Sequence, residues 1–291
     1  PEAAADLDRA IALFAQSGQQ YEWGQATYYR ALLNLRTAAV EDARQQLAIA
    51  AEIFTELENR FWLNRVQVAQ AMAAEEAGAN DEAAALLAPL LVAAAQPDAD
   101  AALAWDLSTR VEAALLALRS ALQQGAVDEA HRLVALAAEW LAVATPVDAP
   151  PLYPHLSLQL LYARGQVARA EGDNAGARRF FAAAVTALET QRAALPVEDF
   201  RTAFLADKTA IYTDLVLALL AEPAPAADTV ADVFAVVERA RSRALLERLL
   251  VAVDAAALAP DSPAAVRSAA VREQLTWLYN QLLREGGASR A

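Results

Sequence analysis

AVDEA, residues Ala126–Ala130, is one of four similar segments whose spacing decides the fold. The others are AVEDA at Ala39–Ala43, ANDEA at Ala79–Ala83 and DNAGA at Asp173–Ala177. Their final alanines, Ala43, Ala83, Ala130 and Ala177, recur at intervals of about 40, 47 and 47 residues, within the range of helical repeats. Four and seven residues beyond each alanine lie Leu47 and Ala50, Leu87 and Leu90, Val134 and Ala137, and Phe181 and Ala184. An apolar series at i, i+4 and i+7 is one buried face of a helix. A weaker fifth copy starts at Val233 and continues through Val237 and Ala240.

Each segment also carries the chemistry of a helix start. Glu41 and Asp42, Asp81 and Glu82, and Asp128 and Glu129 place carboxylates in the first turn, where they complement the positive end of the helix dipole. Asn80 and Asp173 are candidate N-caps. As catalytic pairs these carboxylates are poor candidates, because adjacent residues point to different helix faces. Twelve residues upstream of the four alanines stand Ala31, Ala71, Leu118 and Gly165. Small side chains there let a preceding helix approach closely, so the unit is helix–turn–helix. The spacing predicts a lone second helix over Ala3–Gln16, then pairs over 20–58, 60–95, 98–143, 153–194 and 197–252. The segments GANDE, AQPDAD, TPVDAPPLYP and AEPAPAADT mark breaks. The array spans 1–253, a linker 254–263, and a last amphipathic helix lies within 264–291.

Composition agrees. The chain is 57% hydrophobic but only 7% aromatic, with alanine dominant and nine glycines in 291 residues, a balance that favours helix nearly throughout. No period-two run of β-branched residues predicts a strand. The helix–turn–helix unit resembles a tetratricopeptide repeat, whose signature has small residues at these relative positions. Thr27, Gln67, Ala114 and Leu161 stand in place of its early tryptophan, the closing proline is missing, and the units exceed the usual length of roughly 34 residues. The resemblance implies an all-α fold, a right-handed α-α superhelix of antiparallel helix pairs with no β-sheet.

Several function classes fall away on residue content. The absence of cysteine removes disulfides, thiolate metal sites and a cysteine nucleophile within this chain, and fits a cytoplasmic protein. His131 and His155 lie far apart, without the spacing of a metal helix. The longest apolar run, Ala83–Ala95, is too short to span a bilayer and contains Pro89. A net charge of −13 and a single lysine, Lys208, argue against nucleic acid as a partner. Phosphate-cradling and nucleophile-elbow motifs are missing, and no cofactor is expected. The tryptophans, Trp23, Trp62, Trp105, Trp140 and Trp277, are scattered as packing residues are.

Two segments are more specific. Within FRTAFLADKTAIYTDLVLALL (Phe200–Leu220), Arg201, Phe204, Leu205, Asp207, Lys208 and Tyr212 match one half of a pattern. Within ADVFAVVERARSRALLERLL, Phe234, Glu238, Arg239, Ala240, Arg241, Ser242, Arg243, Leu245 and Leu246 match the other. The pattern is similar to the last repeat of bacterial proteins in which tetratricopeptide repeats precede a CHAT domain, a caspase-like peptidase module. VREQLTWLYNQLL (Val271–Leu283) resembles the helix leading toward that peptidase. The resemblance implies a regulatory arm that begins without a methionine at Pro1, ends at Ala291 where the peptidase should start, and is not itself an enzyme. Its partners would be a protein or peptide and the downstream domain of the same chain.

On that reading the first helix of each pair lines a concave groove. The groove positions that the resemblance implies are Gln25, Tyr28 and Arg36; Arg65, Met72 and Glu76; Glu112 and Arg119; and Gln159, Tyr162, Gln166 and Arg169. Arginine, glutamine and tyrosine together suit peptide recognition better than binding to a polyanion. In the basic stretch VVERARSRALLERLL, Arg239 and Arg243 share one helix side while Arg241 lies nearly opposite, so no single basic stripe tracks a phosphate backbone. Arg239, Arg241 and Arg243 are expected to brace the domain junction. The alternative is the effector-binding sensor solenoid of a signalling ATPase or transcription regulator.

Overall fold

A computed structural model of the chain describes residues 2–95, 106–144, 153–193, 209–221 and 229–240, and every regular element among these residues is a helix. In chain order they are α1 (Glu2–Ser17), α2 (Gln20–Arg36), α3 (Val40–Glu56), α4 (Arg60–Glu76), α5 (Asn80–Ala95), α6 (Leu107–Gln123), α7 (Val127–Ala144), α8 (Pro154–Ala170), α9 (Asn174–Ala193) and α10 (Thr209–Leu220). A further helical run, α11, covers 229–240. The lone first helix and the first four pairs follow the predicted bounds closely, while both ends of the fifth pair, the linker 254–263 and the helix within 264–291 lie outside the described residues. The third pair differs most at its start, since α6 begins at Leu107 rather than near 98.

The turn inside each pair repeats. Gly78, Gly125 and Gly172 sit at φ of 74°, 72° and 79°, and Ala38 takes the same place at 58°. This left-handed residue lets the next amide reach back to close the helix. Ala39 N–H donates to the Asn34 carbonyl at 2.9 Å, Ala79 to Ala74 at 2.8 Å, Ala126 to Ala121 at 2.8 Å and Asp173 to Ala168 at 2.9 Å. Three residues reserved for a backbone that disfavours side chains therefore mark the repeat, five positions before the final alanine. The second helix then starts. Asp173 caps α9, accepting from Gly176 N–H at 2.9 Å. Asn80 does not cap; it is the first residue of α5 itself, so its backbone already belongs to the helix. Two other caps lay outside the sequence expectation: Asn59 accepts from Trp62 N–H at 3.1 Å, and Asp106 accepts from Thr109 N–H at 2.8 Å.

Pairing proceeds in order: α2 packs on α3, α4 on α5, α6 on α7 and α8 on α9. Each second helix also meets the next first helix, and the first helices touch in series, α2 to α4, α4 to α6 and α6 to α8. That layering is consistent with an α-solenoid, in which each unit covers its neighbour's apolar face. The final alanines Ala43, Ala83, Ala130 and Ala177 are buried, as are Leu47, Leu87, Val134 and Phe181 beyond them. Ala31, Ala71, Leu118 and Gly165 are buried opposite. A methyl added at Gly165 would lie 2.5 Å from the Phe181 ring, so the close approach is real.

The fifth copy packs through its expected face, with Val233 and Ala240 against the cluster that holds the buried Val236. In α11 the buried residues are Thr229 and Val236, whereas Val233, Val237 and Ala240 are half-buried and Phe234 is exposed. No helix among the described residues is long and apolar enough to cross a membrane.

Candidate functional site

Since α2, α4, α6 and α8 lie in contact, residues at matching heights on them converge. The position eighteen residues before each final alanine carries Gln25, Arg65, Glu112 and Gln159 in turn. One cavity of about 180 Å³ draws on all four helices: Tyr28 and Leu32 from α2, Val68, Ala69 and Met72 from α4, Glu112, Leu115 and Arg119 from α6, and Gln159 from α8. Five of the expected groove residues, Tyr28, Met72, Glu112, Arg119 and Gln159, thus share one site.

Apolar packing holds the cavity wall in place. Trp62 stacks on Phe54 with centroids 5.3 Å apart, its Nε1 donates to the Tyr21 hydroxyl at 3.0 Å, and the Tyr28 ring meets it edge-on at 5.4 Å. Arg65 lies over Trp62 and Phe61, 5.1 and 5.4 Å from the ring centroids, and its Nη1 is 3.5 Å from Asp106 Oδ2. Burial raises the Tyr28 hydroxyl pKa above its ordinary value, opposed in part by the adjacent Arg65.

The two cations at this site already have partners. Arg65 faces the Asp106 carboxylate, and Arg119 donates through Nε and Nη2 to both oxygens of Glu75, at 3.0 and 2.8 Å. Glu112 is different. Its Oε1 accepts from the Ser108 hydroxyl at 2.9 Å, and it forms no ion pair among the described residues. Burial pushes its pKa above the usual carboxylate range; the Ser108 hydrogen bond opposes this, the Asp106 charge adds to it and the Arg65 charge opposes it.

Further along the same face, Arg169 Nη1 donates to Asp214 Oδ1 at 2.6 Å and Tyr162 donates to Asp214 Oδ2 at 2.7 Å. Burial, then the hydrogen bond and charge of Asp214, raise the Tyr162 pKa well above its ordinary value. Arg119, Gln166 and Arg169 line a shallow depression between α6 and α8. No family model, curated protein or solved structure matches the chain.

The remaining expected groove residues are not gathered. Arg36 and Glu76 are exposed near the ends of α2 and α4, and Gln25 is half-buried without lining either depression. Arg239 is exposed on α11, while Arg241 and Arg243 lie outside the described residues. Sequence reasoning missed Asp106, Glu75 and Asp214, the three acids that take up the arginines. Their signal is spatial, since Glu75 and Arg119 are 44 residues apart and Arg169 and Asp214 are 45 apart.

A larger cavity of about 460 Å³ lies between α5, α6 and α7, lined largely by alanine and leucine. Its charged residues, Glu129 and Arg132, pair with each other at 2.5 Å. The chemistry therefore gathers on the first-helix face rather than in the larger space. Among the described residues no group of three metal-ligating side chains occurs. What the first-helix face offers is acceptors, aromatic rings and fixed charge, the means of recognition.

Proposed function

We propose that the first-helix face binds an extended protein or peptide segment, and that the array is the sensing or regulatory arm of a larger CHAT peptidase-type protein. One observation carries the binding reading: Tyr28, Met72, Glu112, Arg119 and Gln159 come from four successive first helices and line a single cavity. A segment lying across these helices would touch several repeats at once, and its affinity would depend on their stacking. Tyrosine and arginine are also the residues that most often dominate interface energetics. In this reading the superhelix is right-handed, of the tetratricopeptide type, and the first-helix face is concave.

The regulatory part rests on the two segments that resemble the last repeat before a CHAT domain. Within them, Tyr212 is buried in α10 and donates to Glu189 of α9, while Arg239 is exposed on α11, open to a following domain. Phe234 is exposed and Glu238 and Ala240 are half-buried on the same helix, and the remaining motif residues lie outside the described residues. The chain itself binds rather than catalyses in this proposal.

The test is a fluorescent peptide library titrated against the purified chain. Peptide binding that is weakened by Met72→Asp, placed in the cavity wall, is the expected result. Binding that persists unchanged in that variant would remove the first-helix face from the proposal. The regulatory part has its own test, the coding sequence that follows Ala291. A histidine and cysteine peptidase there supports it, and its absence overturns it.

A further inference from the structure

We propose that the cavity between α2, α4, α6 and α8 takes one basic side chain of the bound peptide, with Glu112 as its counter-ion and the Tyr28 ring as its wall. The proposal rests on the peptide-binding reading and names what that face selects. Three observations carry it.

The first is charge. Arg65 faces Asp106 and Arg119 is held by Glu75, so neither forms an ion pair with Glu112, although the Arg65 charge acts on it. The five groups together, Arg65, Arg119, Asp106, Glu75 and Glu112, leave one uncompensated negative charge. A partly buried carboxylate without a cation is costly, and it is relieved by protonation or by a cation that enters.

The second is geometry. Ser108 occupies Oε1 of Glu112, and Oε2 has no hydrogen-bond partner among the described residues, in a residue that lines the cavity. Tyr28 supplies an aromatic ring, Gln159 an amide oxygen, and Leu32, Val68, Met72 and Leu115 an apolar sleeve. A carboxylate at the end of an apolar and aromatic sleeve complements lysine or arginine, whose stem is aliphatic and whose head is charged. An acidic or phosphorylated side chain would meet the opposite field.

The third is size. At about 180 Å³ the space is below the range of roughly 300 Å³ and above that holds a typical small-molecule ligand. It suits one side chain. The shared chemistry, an ammonium or guanidinium group, also occurs in free polyamines, so the experiment must separate the two sources.

Glu112 is faced by Tyr28 of α2, Arg65 of α4, Asp106 and Ser108 at the start of α6, Arg119 on α6 and Gln159 of α8. Its pKa is raised, mainly by burial, so a basic side chain should bind best above that pKa and lose affinity as the pH falls through it.

The test uses the full chain and a positional-scanning library of fluorescent extended peptides, read by anisotropy. Each binding peptide is paired with analogues in which single lysines or arginines become norleucine or glutamine. The expected result is one basic position whose loss weakens binding about tenfold, as suits one charged hydrogen bond. Glu112→Gln should remove that preference, leaving the neutral analogues bound as before, and Glu41→Gln, which removes an exposed carboxylate on α3 away from the cavity, should leave it intact. Melting curves establish that both variants fold. Peptides that bind with no basic preference, or a preference that survives Glu112→Gln, overturn this inference and leave the peptide-binding reading standing. Equal loss in Glu41→Gln also overturns it, because bulk negative charge then explains the preference. Spermidine that binds where no peptide does overturns the peptide source, and the absence of any peptide binding overturns both proposals.

Discussion

Replacing Gly165 by alanine adds one methyl group, and the structure says what it meets. The new Cβ would lie 2.5 Å from Cδ1 and Cε1 of Phe181 and 3.0 Å from Cγ. Phe181 is fully buried, with the Tyr162 ring 5.7 Å away and the Arg169 guanidinium 5.5 Å from its centroid, so the ring cannot swing aside freely. Overpacking of this kind costs about 1–3 kcal/mol, and a contact this short belongs at the upper end. The gain in helix propensity on replacing glycine by alanine returns about 1 kcal/mol, leaving a net loss of about 2 kcal/mol. Phe181→Leu alone leaves a partial void and should cost about 2 kcal/mol. The double variant recreates the pairing of the first two repeats, where Ala31 stands in register with Leu47 and Ala71 with Leu87. Without the clash, its loss should be near 1 kcal/mol, well short of the sum, with a coupling of about 3 kcal/mol. Urea unfolding followed by far-ultraviolet circular dichroism measures all four proteins. Additivity within about 0.5 kcal/mol would refute the claim that glycine at this crossing exists to admit the ring.

The turn residues give a pair of opposite signs: Ala38→Gly should stabilise the chain and Gly125→Ala should destabilise it, each by about 1 kcal/mol, because both positions have positive φ and Gly125 has no neighbour within 4 Å. Denaturant midpoints check this, and shifts of the same sign would contradict it. Loss of the Asp173 cap in Asp173→Ala should cost about 1 kcal/mol, measured the same way. Glu112 supplies a pH signature. Its folded-state pKa is raised, so the folded chain holds the proton more tightly, and this group's contribution falls as pH rises from near 4.5 through the folded-state value. Glu112→Gln should abolish that component, which can never exceed a slope of about 1.4 kcal/mol per pH unit, and should raise stability at neutral pH. Urea midpoints across pH 3–8 provide the check.

The helix pairs were legible because their determinants are periodic. Ala43, Leu47 and Ala50 recur with changed identities in three later copies, and all of these residues are buried. The turn glycines Gly78, Gly125 and Gly172 carry an equally regular signal at a fixed distance before each final alanine, hidden only because Ala38 breaks the identity in the first copy. Caps were less legible. Asn80 and Asp173 are both polar residues at a helix start, yet Asp173 precedes α9 and caps it, while Asn80 is already inside α5. A shift of one residue decides the role, and helix periodicity does not resolve single residues at its ends.

The first-helix face was legible as a set of positions but not as a site. Gln25, Arg65, Glu112 and Gln159 occupy one register, so the repeat places them without assigning them different tasks. Their difference comes from acids outside that register. Asp106, which caps α6, also faces Arg65; Glu75, near the end of α4, takes both donors of Arg119. Remove either acid and an arginine is released, so the one uncompensated negative charge of this cluster is lost, although no residue of that register has been touched. The stack thus separates two kinds of information. Crossing and core positions trade size, as Gly165 does with Phe181, and so preserve the geometry. First-helix positions of one register vary in charge, and their chemistry is set by which neighbour reaches them first. Glu112 stands out because both nearby arginines were reached first by other acids.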